Sequence, residues 1–267
     1  MDPWIVVALC WLLFVGTHIG LATSRIRTPL VARLGPWGFG HLYSAVAAVS
    51  FGLAIHTLAV HQGEGPPGLG LASFAGVRWL SIGLVVSGVA LSVASFWSLP
   101  ASALALLIEG SPRGPRGLER ITRHPFFVGT ALLGLGHVLL ASRLVGTIAF
   151  AGLALLSIGG ALHQDAKLRA NLGQPHADYL ARTSFVPFAA ILRRRQQLVA
   201  RELPWFGLAA GLAVAFALRS IHDSILGHGG AWVIGVAVVG AGLATLQTRK
   251  QRSRRAPGER VIHRAAS

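Results

Sequence analysis

Apolar runs long enough to cross a bilayer recur along this chain and leave few architectures open. A helix needs roughly 20 such residues to span the hydrocarbon, where only helices and closed barrels satisfy every backbone N–H and C=O. About seven runs can be drawn, at residues 3–23, 36–60, 79–99, 126–142, 144–162, 204–221 and 230–247, the first three each flanked by Pro, Gly or Arg. The expectation is an all-α transmembrane bundle occupying residues 1–247. Arg143 alone parts the fourth run from the fifth, which predicts a tight helical hairpin. With 53% hydrophobic and 12% charged residues, the chain has too little polar surface to cover a soluble domain of this size.

The formal net charge of +15 would in a soluble protein point to nucleic acid, so the positions of the charges matter. Arg25, Arg27, Arg33, Arg113, Arg116, Arg120, Arg123, Lys167, Arg169, Arg182, Arg193, Arg194, Arg195 and Arg201 fall on one side of the spans. Arg78, Arg143 and Arg219 fall on the other. Cytoplasmic loops collect Lys and Arg, so the N-terminus is expected outside, the C-terminus in the cytoplasm, and the chain in the inner membrane as a multi-pass protein. Topology accounts for the basic excess, and no nucleic-acid partner is expected. The basic tail 248–267 reads as disordered chain near anionic headgroups. Asp2, with no Lys or Arg before the first run, favours a retained span over a cleaved signal peptide. Cys10 is the single cysteine, so neither an internal disulfide nor a thiolate metal cage can form.

Two cytoplasmic segments, 101–124 and 164–202, are the expected working surfaces. Helical character marks Gln164–Leu180. Residues 185–192 form an apolar run too brief to span, expected to lie at the interface or re-enter.

Eleven histidines accompany nine carboxylates, and an ionisable group at membrane depth points to a functional interior. His18 and His41 should lie at a shared depth, roughly 8 Å below the inner surface at 1.5 Å per residue, and His137 roughly 17 Å below it. His124 and His163 cap the fourth and fifth spans, and His56 lies near the opposite face. Neutral imidazole is the common axial ligand of haem iron. Intramembrane histidines without a cysteine or carboxylate cluster therefore favour haem over zinc. The plainer alternative is that each imidazole bonds to a neighbouring helix.

In Gly117-Leu-Glu-Arg-Ile-Thr-Arg-His-Pro-Phe-Phe-Val-Gly129, Pro125 suits the first turn of a helix. Arg123 is placed to hold a phosphate or carboxylate bidentately, or to act as a positive-inside anchor.

These patches resemble a family. Gly16-Thr-His-Ile-Gly-Leu-Ala-Thr-Ser-Arg-Ile-Arg27, Tyr43-Ser44, Arg123-His124-Pro125 with His137 thirteen residues on, Arg182-Thr-Ser-Phe-Val-Pro-Phe-Ala-Ala-Ile-Leu192 and Arg195-Gln196 are similar to the NnrU family, which includes the plant-type 15-cis-zeta-carotene isomerases. The resemblance runs in patches over residues 9–60 and 117–206. It implies an integral membrane protein holding haem b between two histidines and isomerising a cis double bond in a carotenoid precursor. Bacterial namesakes are associated with nitrogen-oxide metabolism and denitrification. Carried over, the ligands fall on His18 and His137, with Arg123 and His124 in the cofactor-binding motif and His41 in reserve as a ligand. Tilted helices or a tilted haem would bridge the depth difference of roughly 9 Å. No residue is singled out as catalytic. The isomerases carry a cysteine near the ligand of the fourth span where this chain has Gly134, Leu135 and Gly136. Those two glycines are expected to face lipid and admit a polyene. His163-Gln-Asp-Ala-Lys167 also departs from the expected His-Gly-Asp-Arg-Arg.

Arg123-His124-Pro125, Asp165, Leu168, Gly173 and Tyr179 resemble, over a shorter stretch, membrane methyltransferases of the isoprenylcysteine and phospholipid type, which implies S-adenosylmethionine at the cytoplasmic face. A third reading is a non-enzymatic haem-binding helper of denitrification. The partners expected under the leading reading are the bilayer and a membrane lipid or isoprenoid substrate.

Overall fold

A computed structural model describes residues 1–97 and 114–240 of the chain. The expected tail 248–267, the end of the seventh run and most of the segment 101–124 lie outside the described residues. Every regular element described is helical: α1 (Pro3–Ala22), α2 (Ser24–His61), α3 (Ala75–Ser95), α4 (Leu118–Ile121), α5 (Pro125–Leu140), α6 (Leu144–Leu172), α7 (Gln174–Arg182), α8 (Ala189–Leu192) and α9 (Trp205–Ser220), with short 3-10 turns between. Packing follows the order α9, α3, α5, α6, α1, α2.

Four helices among the described residues are long and apolar enough to cross a membrane: α1, α2, α3 and α6. Three of the seven expected spans appear as shorter apolar helices, Pro125–Leu140, Trp205–Ser220 and His228–Gly240. Large apolar side chains turn outward, among them Leu12, Val49, Leu155 and Phe216. The inner contact of α1, α2 and α6 is built from Val7, Trp11, Phe14, Ala54, Ile55, Leu58, Val145 and Ala149.

Breakers set the helix limits. α2 runs through 38 residues but kinks at Gly35, whose φ is 70°. Pro36 lacks an N–H and disfavours helix in the residue before it, so the expected start of the second span coincides with the kink. α6 continues well past the expected end at residue 162, because nothing interrupts it before Gly173, at φ 60°. The expected hairpin is present. α5 and α6 turn over Ala141–Arg143, where Gly68 and Gly70 donate to Ser142 O and Ala141 O at 2.9 Å and Leu144 donates to Pro66 O at 2.9 Å.

Close approach of backbones holds the bundle. A Cβ on Gly88 would stand 2.6 Å from Gly129 O, one on Gly134 2.8 Å from Phe150 O, and one on Gly136 2.8 Å from Ser81 O. Gly134 and Gly136 therefore face α6 and α3 and not lipid. Small residues let helix backbones touch, and that use excludes a polyene from the same faces.

Candidate functional site

The polar interior gathers where α5 begins. After α4 the chain extends through Thr122, places His124 at the N-cap of α5, and puts Pro125 in the first turn as expected. Residues 183–188 run beside it. Arg123 N donates to Ser184 O at 2.9 Å, Phe188 N to Ile121 O at 2.9 Å, and Thr122 Oγ1 to Phe185 O at 2.7 Å. The apolar run 185–192 thus docks on the head of α5, with Phe188 at φ 62° making the turn into α8.

Asp165, from α6, is the hub. Its Oδ2 accepts from Arg123 Nε at 2.8 Å, and its Oδ1 lies 2.8 Å from His124 Nε2, which the carboxylate makes the donor. His176 Nε2, from α7, stands 3.9 Å from the same Oδ1. Phe127 and Phe185 rings flank His124 at 5.8 and 6.3 Å. Arg123 was expected to hold an anion, and in this structure the anion is the chain's own Asp165. Both carboxylate oxygens are engaged, so the cluster works as an internal clamp tying the head of α5 to α6, with His176 of α7 packed beside it.

His176 is fully buried, and neither ring nitrogen has a hydrogen-bond partner. Burial pushes its pKa below the usual 6.5, against the pull of Asp165. A second clamp lies beside the first. Glu202 Oε2 accepts from Arg120 Nε at 2.8 Å and from Gly117 N at 3.1 Å, and its Oε1 accepts from Arg120 Nη2 at 3.1 Å. Arg120 Nη1 donates to Gln196 Oε1 at 3.0 Å. The guanidinium bonds, with the Gly117 N–H, hold the Glu202 carboxyl down to about 2 and raise Arg120 in turn.

His18 lies near the end of α1 among rings, 5.4 Å from Phe14 and 5.1 Å from Tyr43. Tyr43 Oη donates to His18 O at 3.2 Å, and His18 Nδ1 is buried with no hydrogen-bond partner. The shared level expected for His18 and His41 agrees with the Tyr43 contact, but His41 itself is exposed. Two positions along a helix turn a side chain roughly 200° away, so His41 points off the face that carries Tyr43.

His137 sits near the other end of the fold. Its Nδ1 lies 2.9 Å from Leu133 O, and its ring stacks on Phe150 with centroids 4.3 Å apart. Both histidines can be measured against α6. His137 is level with Phe150, whereas Ile19, next to His18, reaches Gly159. Nine positions at 1.5 Å each separate those levels by on the order of 13 Å. Axial ligands of one iron must face each other across it, so His18 and His137 as placed in this structure do not fit haem b as a pair. Among the described residues no group of three or more His, Cys, Asp or Glu could hold a metal ion.

His163 Nε2 is buried without a partner, and His56 Nδ1 lies 3.3 Å from Gly229 O. Sequence reasoning missed His176, Glu202 and His222. The i, i+3 spacing of His176 and Tyr179 on an amphipathic nine-residue helix was a usable signal for the first. For Glu202 and His222 no local signal exists, because their partners are distant in the chain.

Comparison with known proteins places these residues in context. The family model described as NnrU protein matches residues 6–230. The chain is 30% identical over 204 residues to the chloroplastic 15-cis-zeta-carotene isomerase of Arabidopsis thaliana, covering 74% of this chain and 53% of that one. It is 30% identical over 200 residues to the chloroplastic 15-cis-zeta-carotene isomerase of Zea mays, covering 73% and 52%. The chain therefore spans about half the length of the curated relatives it matches. No solved structure matches.

Proposed function

From the premise that the chain belongs to the NnrU protein family, we propose that it is a membrane-embedded isomerase acting on a cis double bond of a carotenoid-like isoprenoid. The observation that carries this reading is the match of about three quarters of the chain to relatives named 15-cis-zeta-carotene isomerase. Four helices long and apolar enough to cross a membrane support access to a substrate dissolved in lipid.

Isomerisation changes no atom count. It requires a conjugated chain to be held flat, kept from water and freed to rotate about one bond. The ring cluster of Phe14, His18, Tyr43 and Phe51, with neighbouring centroids 5.1 to 5.4 Å apart, offers aromatic faces suited to a polyene. It also places a partly buried imidazole beside them. Haem b would supply a redox-active iron. Because His18 and His137 stand at different levels, no step is assigned through that pair. The Asp165 clamp positions the head of α5 with both carboxylate oxygens already bonded within the chain, to Arg123 and His124, and so lends the methyltransferase reading no support.

The test is expression in a bacterium engineered to accumulate 15-cis-zeta-carotene, followed by chromatographic separation of the isomers. Conversion by the chain, reduced at least tenfold in His18→Ala and retained in Gly16→Ala, is the expected result. An unchanged isomer ratio, with the chain present in the membrane and the Zea mays relative active in the same host, would overturn the reading.

A further inference from the structure

α2 is bent so that a cation near its start lies over a ring from its own middle. Arg27 and Phe39 are twelve positions apart, about 18 Å along a straight helix. The break at Gly35 folds the first stretch back and sets Arg27 Cζ 5.6 Å from the centroid of the buried Phe39 ring. We propose that Arg27 and Lys167 hold the phosphate of an anionic membrane phospholipid whose hydrocarbon chain lies against the Phe39 and Tyr43 rings.

Three observations converge. The first is uncompensated charge. α1 and α6 run side by side in one direction, since a Cβ on Gly152 would meet Trp11 and one on Gly159 would meet Ile19. Gly159, His163 and Lys167 follow at four-residue steps on one face of α6, so that face continues to the level of the turn into α2. There the Lys167 ammonium feels the repulsion of the Arg27 guanidinium. Among the described residues neither is in an ion pair, and the nearby Asp165 already has both oxygens bonded to Arg123 and His124. One turn back from Lys167, His163 Nε2 is buried with no hydrogen-bond partner.

The second is the start of α2. Thr23 makes no side-chain cap and the first turn holds no acidic residue, because Thr23 Oγ1 donates back to Gly20 O at 2.7 Å. Arg25 and Arg27 stand instead near the positive end of the helix dipole, where an anion is the favoured neighbour. The third is a path of rings that ends on the cation. Phe39 lies 6.0 Å from Tyr43 and Tyr43 5.1 Å from His18, which leads on to Phe14 at 5.4 Å.

A free anion would leave the rings unused, and a neutral hydrocarbon would leave the cations unanswered. A phosphate that carries a chain satisfies both, with Arg27 able to engage two oxygens and Lys167 acting as a point charge. The depth also suits a lipid headgroup: Lys167 lies five positions beyond the expected end of the span at residue 162, about 8 Å along the helix. The inference rests on the ring cluster that the proposed function also uses. Its readout is binding without isomerisation, so either can fail alone.

The test uses the full chain in detergent, with binding of dioleoylphosphatidylglycerol, dioleoylglycerol, farnesyl phosphate and inorganic phosphate read by native mass spectrometry. Phosphatidylglycerol is expected to bind at least about tenfold more tightly than dioleoylglycerol, which lacks the phosphate, and than inorganic phosphate, which lacks the chain. Arg27→Gln and Lys167→Gln should each abolish that preference, and Lys167→Arg should keep it, which shows that the loss is not misfolding. Phe39→Leu should weaken binding about threefold. Arg25→Gln and Arg169→Gln remove equal charges from the same two helices at exposed positions and should leave it intact. Farnesyl phosphate binding in place of phosphatidylglycerol, with the same pattern across the variants, supports the site with an isoprenoid phosphate as its occupant. Equal binding of phosphatidylglycerol and dioleoylglycerol, inorganic phosphate bound as tightly as the lipid, or equal loss in Arg25→Gln or Arg169→Gln overturns the proposal.

Discussion

Arg123 and Asp165, 42 positions apart in the chain, meet at 2.8 Å between Nε and Oδ2. With side chains only 16% and 11% exposed, they form a buried ion pair that His124 completes from the adjacent position. The geometry turns a motif that reads as an anion site into the joint between the head of α5 and α6.

Removing one member of that joint strands the others. Asp165→Ala leaves a guanidinium and an imidazole buried without their acceptor, and breaking such pairs costs about 3–5 kcal/mol. Thermal unfolding in detergent should show the loss, together with early proteolysis between residues 183 and 192, which rest on the same strand of chain. A melting curve like wild type would refute the assignment of Asp165 as hub.

The Glu202 clamp should respond to acid. Its carboxyl is held down from the usual 4.5 to about 2, so the folded state binds a proton less readily than the unfolded chain. The stabilisation is fully present above 4.5 and is lost as pH falls through that value toward 2. The protection of the Gly117 amide relative to its intrinsic exchange rate at each pH should fall in this window in wild type. In Glu202→Gln the protection should be lower throughout and independent of pH.

His176 gives the second acid response. Burial lowers its pKa from the usual 6.5, so the neutral imidazole is the folded form and its contribution is present above 6.5 and lost below it. His176→Leu removes a buried group with two unsatisfied nitrogens, each such atom costing about 1–3 kcal/mol. Stability at about pH 7.5 should be equal or higher, and the fall toward about pH 5 shallower. Unfolding curves at both pH values decide it.

Glycines divide by what their Cβ would meet. Gly88→Ala drives a methyl into the backbone of α5, 2.6 Å from Gly129 O and 2.7 Å from Leu133 N, and overpacking of this kind costs about 1–3 kcal/mol. Nothing lies within 4 Å of a Cβ on Gly16, so Gly16→Ala should gain up to about 1 kcal/mol from helix propensity. Opposite shifts in melting temperature are the expected outcome.

The helices were largely legible in the chain. The Arg143 hairpin, the start of α5 at Pro125 and the break at Gly35–Pro36 all follow from residues whose backbone preferences are local. α6 overran its expected end because hydropathy marks where lipid stops and a helix stops only at a breaker, here Gly173. The faces were harder to read. Gly134 and Gly136 look alike in sequence to lipid-facing glycines, and only the neighbours Phe150 and Ser81 show what they touch.

The order of apolar runs and breakers, by itself, determined an all-helical chain with spans long enough for a membrane, because hydropathy and backbone preference act within a turn or two of each residue. Which imidazole meets which was decided by the tertiary structure alone. That choice depends on the height and rotation at which separate helices lock together, and contacts between distant helices, not any local pattern, set both. His18 therefore faces Tyr43, and His137 faces His222.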